Sequence, residues 1–375
     1  MYNRRQFTQL SAIGTASMLF GNVQLSGAQA IEPVTENGVD WYNPEQWGIE
    51  GRGWDDTEVY YDRLPSRMKG YVRDAVWNLS RHSAGMVVKF QTASDDIKVR
   101  YRLKSPGLDM VHMPATGVSG VDLYGQVDDG SFRWVNVARP SAQDVNVSLA
   151  TAIDATSHEA GREYMAYLPL YNGIEKIEFG VKSGTSFSGM TPRKEKPLFF
   201  YGTSIMHGAC ASRPGMAISS IIGRSLNLPA INLGFSGNGR LEMELVELIA
   251  EIDAAVYCLD CLPNLNAQLT EERAYPFIAK LRSLRPDTPI LMVEDRSFTN
   301  SQFHKHLRDR HAGNRKAFRA AFKRLKNEGL DGIHYLEGEG ILGDDGEAAT
   351  DGSHPNDLGM MRYAEAYLKV LKRIL

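Results

Sequence analysis

Cysteine is scarce in this chain of 375 residues: Cys210, Cys258 and Cys261 are all it has. An odd, low count cannot build a disulfide framework, so stability must come from a packed core. Cys258-x-x-Cys261 has the spacing of a zinc or redox pair, but two further ligands at suitable spacing are missing. Because Cys258 ends an apolar run, burial as a small apolar side chain is the expected role. Charge of one sign is lacking too. The 42 basic and 45 acidic residues leave a net charge of −3, with no long run of either sign. A nucleic-acid groove or an anionic membrane surface needs clustered Lys and Arg, so neither partner is expected. Beyond the N-terminus no stretch approaches the ~20 apolar residues of a membrane span. Internal repeats and low-complexity tracts are also missing. What is present, 43% hydrophobic and 23% charged residues, is the composition of a folded protein with a sizeable core.

The N-terminus has a pattern of its own. Arg4-Arg5-Gln6-Phe7 precedes an uncharged stretch from Leu10 to Gly27, and Ala28-Gln29-Ala30 follows. A basic start, an apolar middle and a small-residue cleavage site predict an export signal of twin-arginine type over residues 1–30. The mature chain would then begin at Ile31 and work in the periplasm or outside the cell.

Past the signal, residues 31–60 hold Trp41, Trp47, Trp54, Asp55 and Asp56 and predict irregular chain. From Met86 to Lys182 the period is two: Ile97, Val99, Tyr101 and Leu103 alternate with Lys98, Arg100 and Arg102, as in a strand with one dry face. Similar segments stand at 86–93, 121–127, 132–137, 163–168 and 175–182, and Asp129-Gly130 is a hairpin turn between two of them. Many short strands with few helical patterns predict an all-β sandwich over 31–190. A linker rich in Gly, Pro and Lys follows. From Pro197 onward, strands and helices alternate. Strands are predicted near 197–201, 230–233, 254–259 and 289–293. Helices are predicted up to 226 and near 240–250, 271–284, 312–328 and 356–375, the last with Leu358, Met361, Ala364, Leu368, Leu371 and Leu375 on one face. Such alternation predicts a mostly parallel, doubly wound sheet over 195–375.

Four blocks in this second half carry chemistry. Tyr201-Gly202-Thr203-Ser204 sits where the first strand turns into a helix, which places a hydroxyl at the carboxyl end of a parallel strand beside free backbone N–H groups. Asp351-Gly352-Ser353-His354 puts a carboxylate and an imidazole three residues apart on one turn. A serine needs such a base, and the base needs a carboxylate to fix its tautomer. The glycine-rich loop Gly234-Phe235-Ser236-Gly237-Asn238-Gly239 and the turn Asp260-Cys261-Leu262-Pro263-Asn264 also end predicted strands. Each block alone has a plain alternative, a helix cap or a common turn.

Together the Ser, Gly, Asn and His blocks resemble those of the SGNH hydrolases, in their GDSL-like branch, over residues 195–375. Thr203 stands where the commoner pattern has Asp. The resemblance implies a flavodoxin-like three-layer α/β hydrolase domain. It implies Ser204 as nucleophile, His354 as base and Asp351 as the partner of His354. The Ser204 N–H, Gly237 and Asn264 would form the oxyanion hole, with Asn266 and Asp260 as alternatives to Asn264. Gly120-Val121-Asp122-Leu123-Tyr124 resembles the G-x-D-L-Y signature of an N-terminal β domain, jelly-roll-like, that precedes some of these enzymes. The activity implied is serine ester hydrolysis without metal or organic cofactor. The substrate expected is a small-molecule or carbohydrate ester, acetylated sugars first. A lipase or thioesterase, or a non-catalytic glycan-binding protein, is the alternative. His207, one turn after Ser204, is a candidate for supporting the site from behind or for contacting the substrate. His304, His306 and His311 read as a solvated basic loop. Arg213-Pro214-Gly215 and Glu294-Asp295-Arg296 are near the blocks without an assigned role.

Overall fold

The computed structural model of the protein describes residues 31–154 and 161–375; the expected export signal lies outside them. The first half supplies β1 (Val34–Glu36), β2 (Val39–Tyr42), α1 (Asp74–Ser80), β3 (Val87–Thr92), β4 (Ile97–Leu103), α2 (Ala115–Val118), β5 (Asp122–Gln126), β6 (Phe132–Val137), β7 (Asp144–Ala150), β8 (Arg162–Tyr167), β9 (Ile174–Lys182) and β10 (Phe187–Gly189). Two five-stranded antiparallel sheets result, ordered β1-β2-β9-β4-β7 and β10-β3-β8-β5-β6. Alternation decides which face is dry: Ile97, Val99, Tyr101 and Leu103 of β4 are buried, and the basic residues between them are not. Val99 and Phe179 of one sheet pack against Phe90 and Leu123 of the other, which makes the pair a sandwich.

Residues 31–60 depart from the irregular chain expected of them. β1 and β2 are too short to show a period, yet β2 pairs antiparallel with β9 and extends the sheet. β7, where Val145, Val147 and Leu149 alternate with polar residues, is a further strand beyond those predicted.

The second half supplies β11 (Leu198–Gly202), α3 (Ser204–His207), α4 (Ile218–Leu226), β12 (Ala230–Gly234), α5 (Val246–Ala250), β13 (Val256–Asp260), α6 (Ala267–Leu284), β14 (Ile290–Val293), α7 (Lys305–Asn327), β15 (Ile333–Leu336) and α8 (Asp357–Ile374). Its five strands are parallel in the order β12-β11-β13-β14-β15, the flavodoxin-like arrangement. Both faces are covered. Leu198 and Phe200 point to the side of α4 and α8, and Phe199 and Tyr201 to the side of α5 and α6. The single helix expected up to 226 is two, because Gly208 in the left-handed region (φ 108°) ends α3 after one turn. α8 buries Met360, Tyr363, Ala364, Tyr367 and Leu371, whereas Leu358 and Met361 are exposed. The dry face is therefore turned from the one predicted, because tyrosines rather than leucines fill it. α7 starts at Lys305, so His306 and His311 lie on a helix and not in a loop, His304 stands at its N-cap, and His311 is buried.

The two halves share more than a linker. Trp54, Leu64, Met68, Val72, Val76 and Trp77 pack into the core on the α5–α6 side of the parallel sheet. The G-x-D-L-Y block is the other fastening. Asp122, fully buried on β5, accepts from Trp134 Nε1 (2.9 Å), Arg213 Nη1 (3.0 Å) and Gly215 N (2.8 Å), so it holds the loop between α3 and α4. Tyr124 completes the latch, its hydroxyl against the Arg213 guanidinium.

All three cysteines are free and buried. Among the described residues no cluster of His, Cys, Asp and Glu has metal-binding geometry, and no helix is long and apolar enough to cross a membrane.

Asp260, at the end of β13, is fully buried and accepts from the hydroxyls of Tyr367 (2.8 Å) and Tyr363 (3.3 Å). Desolvation, opposed by these hydroxyls, raises its pKa to about 7 from the 3.8 of an ordinary aspartate. Between those two values the folded state holds a proton that the unfolded chain has lost, so stability must fall as pH rises. Asp260→Asn should remove this dependence. Its melting temperature relative to wild type is expected to rise from about pH 4 to about pH 7 and then level off. Parallel curves for the two proteins would show that Asp260 stays ionised in the fold.

Candidate active site

Backbone register brings the site together. Gly202, the last residue of β11, pairs with Gly234 of β12 on one side and Asp260 of β13 on the other. Three loops therefore leave the sheet at one level, at the carboxyl edge where such sheets place ligands. Close approach demands glycine here. A Cβ on Gly239 would lie 1.9 Å from Gly202 O, and one on Gly234 would lie 2.1 Å from His207 N.

Thr203 caps α3, its hydroxyl accepting from Ile205 N (3.3 Å). The cap is thus Thr203 and not Ser204, which leaves the Ser204 hydroxyl for other work. Ser204 Oγ lies 2.8 Å from His354 Nε2 across 150 residues of sequence. His354 Nδ1 lies 2.7 Å from Asp351 Oδ2. The other carboxylate oxygen, Oδ1, accepts from Ser353 N (2.9 Å) and His354 N (2.7 Å), so Asp351 shapes the turn as well as orienting the ring. Partial burial works against its ionisation, but the backbone N–H groups and the imidazole hold the carboxyl at about 2. A carboxylate on Nδ1 fixes the proton there and leaves Nε2 to accept from the serine.

Asn264 closes a 3-10 turn after β13. With its carboxamide oriented to suit its neighbours, the oxygen accepts from Asn238 N (3.0 Å) and Gly239 N (3.3 Å), which leaves its NH₂ group as a donor. Gly237 sits at φ 68° in the same glycine-rich loop. The alternatives fall away. Asn266 caps α6 through Leu269 N (2.8 Å), and Asp260 is occupied by two tyrosines behind the sheet edge. His207 is not a substrate contact. It is fully buried, stacked on Tyr171 at 4.1 Å. Burial, then the charge of Arg63, pushes it well below the usual imidazole value, so it is neutral.

Several neighbours carry no sequence motif. Arg63 is buried and donates to the carbonyls of Asn232 (3.1 Å) and Gly234 (2.7 Å), gripping the end of β12. Tyr171 donates to Ser204 O (3.3 Å). His112, from the first half, places its ring 5.9 Å from that of His354. Arg296 is the most consequential. Fully buried, it donates through Nε (3.1 Å) and Nη2 (2.8 Å) to Ser353 O, and through Nη2 to the Ser353 hydroxyl (2.5 Å). Its charge is met by Asp295, which also lies 3.2 Å from His311 Nδ1. His311 Nε2 accepts from Phe298 N (3.2 Å), and its Nδ1 faces Asp295. The position of Glu294-Asp295-Arg296 at a strand end was the available signal; the fork onto Ser353 was not legible in it.

This geometry can be set beside known proteins. Residues 195–372 match the GDSL-like lipase/acylhydrolase family. Residues 39–187 match the GxDLY family, the N-terminus of SGNH-type esterases. The chain is thus, in class, an esterase. A candidate GDSL-like lipase from Bacteroides ovatus is 29% identical, with a TM-score of 0.84 over 90% of this chain and 98% of its own. The salicylyl-acyltransferase SsfX3 of a tetracycline biosynthetic pathway is 17% identical, with a TM-score of 0.66 over 92% and 97%. A family two carbohydrate esterase from Cellvibrio japonicus is 9% identical, with a TM-score of 0.56 over 90% and 98%. The last two share the fold. No curated protein matches the sequence.

Arg296→Lys keeps a charge beside Asp295 but cannot fork onto Ser353. Because a misplacement of about 1 Å can cost 10²-fold, kcat for ester hydrolysis should fall by roughly that factor with KM little changed. Equal kcat in the two proteins would show that the 351–354 turn holds its shape without the fork.

Proposed function

We propose that the GDSL-like half hydrolyses carboxylic esters through an acyl-enzyme on Ser204, and that its substrates are O-acetylated carbohydrates. The observation that carries the chemistry is the unbroken chain from Ser204 Oγ to His354 (2.8 Å) to Asp351 (2.7 Å). His354 Nε2 takes the hydroxyl proton as Oγ attacks the ester carbonyl, and Asp351 stabilises the imidazolium that forms. The tetrahedral oxyanion is met by the N–H groups of Ser204 and Gly237 and by the NH₂ of Asn264. The engagement of the Asn264 oxygen by two backbone donors supports that direction for its amide. The imidazolium returns its proton to the leaving alkoxide, and the alcohol departs. A water, deprotonated by His354, then attacks the acyl carbon and restores Ser204.

Support for acetyl and for sugar is of a different kind. The cleft beside His354, of 460 Å³, has His112, Glu347 and Thr350 among its lining residues, side chains that can hydrogen-bond sugar hydroxyls. The likeness in fold to a carbohydrate esterase agrees with it. So does the proposed export of the chain, which rests on Arg4-Arg5 and the apolar stretch after them.

The test compares p-nitrophenyl esters from acetate to long acyl chains. Activity should be highest on acetate and fall by about 10⁴-fold or more in Ser204→Ala. In Asp351→Asn the loss should be of similar order, about 10⁴-fold, at about pH 7, where the carboxylate is fully ionised. A preference for long chains would favour a lipase or thioesterase. Full activity in Ser204→Ala would remove the nucleophile assignment, and an inert wild type on all esters would favour a glycan-binding role.

A further inference from the structure

Behind the glycine-rich loop lies a cavity of 320 Å³, away from the His354 cleft. Val72, Arg73 and Val76 wall it on one side, Arg240, Leu241 and Glu242 on another, and Arg273 of α6 on a third. Its polar groups do not balance. Arg73 is spoken for: it pairs with Glu242 and donates to Asn238 Oδ1 (2.7 Å) and Asn238 O (3.0 Å). Arg240 and Arg273 are not. Arg240 Nε donates to Gly237 O (3.0 Å) and Arg273 Nη1 to Arg240 O (3.1 Å), both backbone carbonyls. Among the described residues neither guanidinium has a carboxylate within ion-pair distance. Each keeps unused N–H donors in the fork geometry that suits an oxyanion. With Glu242 and Glu244 also lining the space, three arginines leave one net positive charge. That excess fits a singly charged group better than a doubly charged phosphate.

The cavity is tied to the site through the glycine-rich loop. Arg240 grips the carbonyl of Gly237, and Arg73 grips Asn238, whose N–H the Asn264 oxygen accepts. The glycine-rich loop is thus held by cavity residues on one side and by Asn264 on the other. A polymer that passes from Ser204 over this loop would bring a neighbouring unit to the cavity.

We infer that Arg240 and Arg273 form a subsite for a carboxylate, so that the substrate is an acetylated polysaccharide bearing uronic acid units. The inference deepens the esterase reading and rests on it, but binding can be read without turnover. The probes are an unacetylated oligogalacturonate, its fully methyl-esterified form, which has the same chain without the charge, and a sulfated neutral oligosaccharide. With the wild-type chain, calorimetry should show the oligogalacturonate binding about tenfold tighter than its methyl ester, with an advantage that shrinks as salt is added. Arg240→Gln with Arg273→Gln should erase the difference. Arg273→Lys, which keeps the charge, should retain part of it. If the double variant has lost its thermal transition, the two single variants are read instead, each expected to lose part of the preference.

Equal affinity for the acid and its methyl ester would overturn the subsite, as would a preference that survives in the variants. Binding of the sulfated oligomer alone would overturn the carboxylate assignment. If these results hold while p-nitrophenyl esters remain intact, the subsite stands and the esterase reading fails. Acetate release from acetylated polygalacturonate and from acetylated xylan, each divided by the rate on p-nitrophenyl acetate, then reports the same preference in turnover.

Discussion

One row of backbone pairing underlies everything at the site: Gly234, Gly202 and Asp260, side by side on three parallel strands. The side-chain period of a strand is two, so a slip of one residue on either neighbour would turn its face over and move its loop along the sheet. Apolar alternation guards against such a slip. Leu198 and Phe200 belong to one core, Phe199 and Tyr201 to the other, and exchanging them would bury the wrong side chains on both faces. The position of Ser204 relative to the glycine-rich loop is therefore set by hydrophobic packing well below it. The chemistry inherits its geometry from the core.

On this frame, buried and half-buried arginines do the fine positioning. Arg63 ties the end of β12 to the first half, Arg296 ties the Asp351–His354 turn to the end of β14, and Arg213 ties the loop after α3 to the sandwich through Asp122. A planar guanidinium with five donors can satisfy several carbonyls that no strand or helix pairs. The three differ in how their charge is met. Arg213 and Arg296 face carboxylates, whereas Arg63 donates to backbone carbonyls and, through Nη2, toward His207 Nε2 (3.4 Å), which in turn lies 3.4 Å from His82 Nδ1. Neutral His207 and His82 follow from that company, since a second buried positive charge would have no anion to offset it.

The sequence disclosed the strands of the sandwich where apolar and basic residues alternate, as in β4, and the parallel strands where apolar runs end at a turn residue. It also singled out Ser204, Asp351 and His354, which the fold brings within hydrogen-bond distance in a row, because these residue types stand on short blocks at strand ends. It was silent where partners are distant or pattern is absent. β1 and β2 have too few residues for a period. α8 presents tyrosines to the core, and a count of aliphatic residues picked another stripe. His311 read as part of a basic run, since its burial depends on Asp295, a contact no local spacing announces. Arg63 and Arg296 are single charged residues whose partners are mainly backbone carbonyls, and a carbonyl leaves no mark in a sequence.

The segment from Trp54 to Trp77 belongs to the first half by position and to the parallel sheet by packing. During synthesis it leaves the ribosome before any strand it will cover. Its tryptophans and aliphatic side chains then stay without their partners until β12, β13 and the helices of that face have emerged. The sandwich can close behind it on local pairings, but this strap cannot. The nascent chain thus carries an exposed apolar patch through much of its own translation, a window in which chaperone capture or aggregation competes with folding.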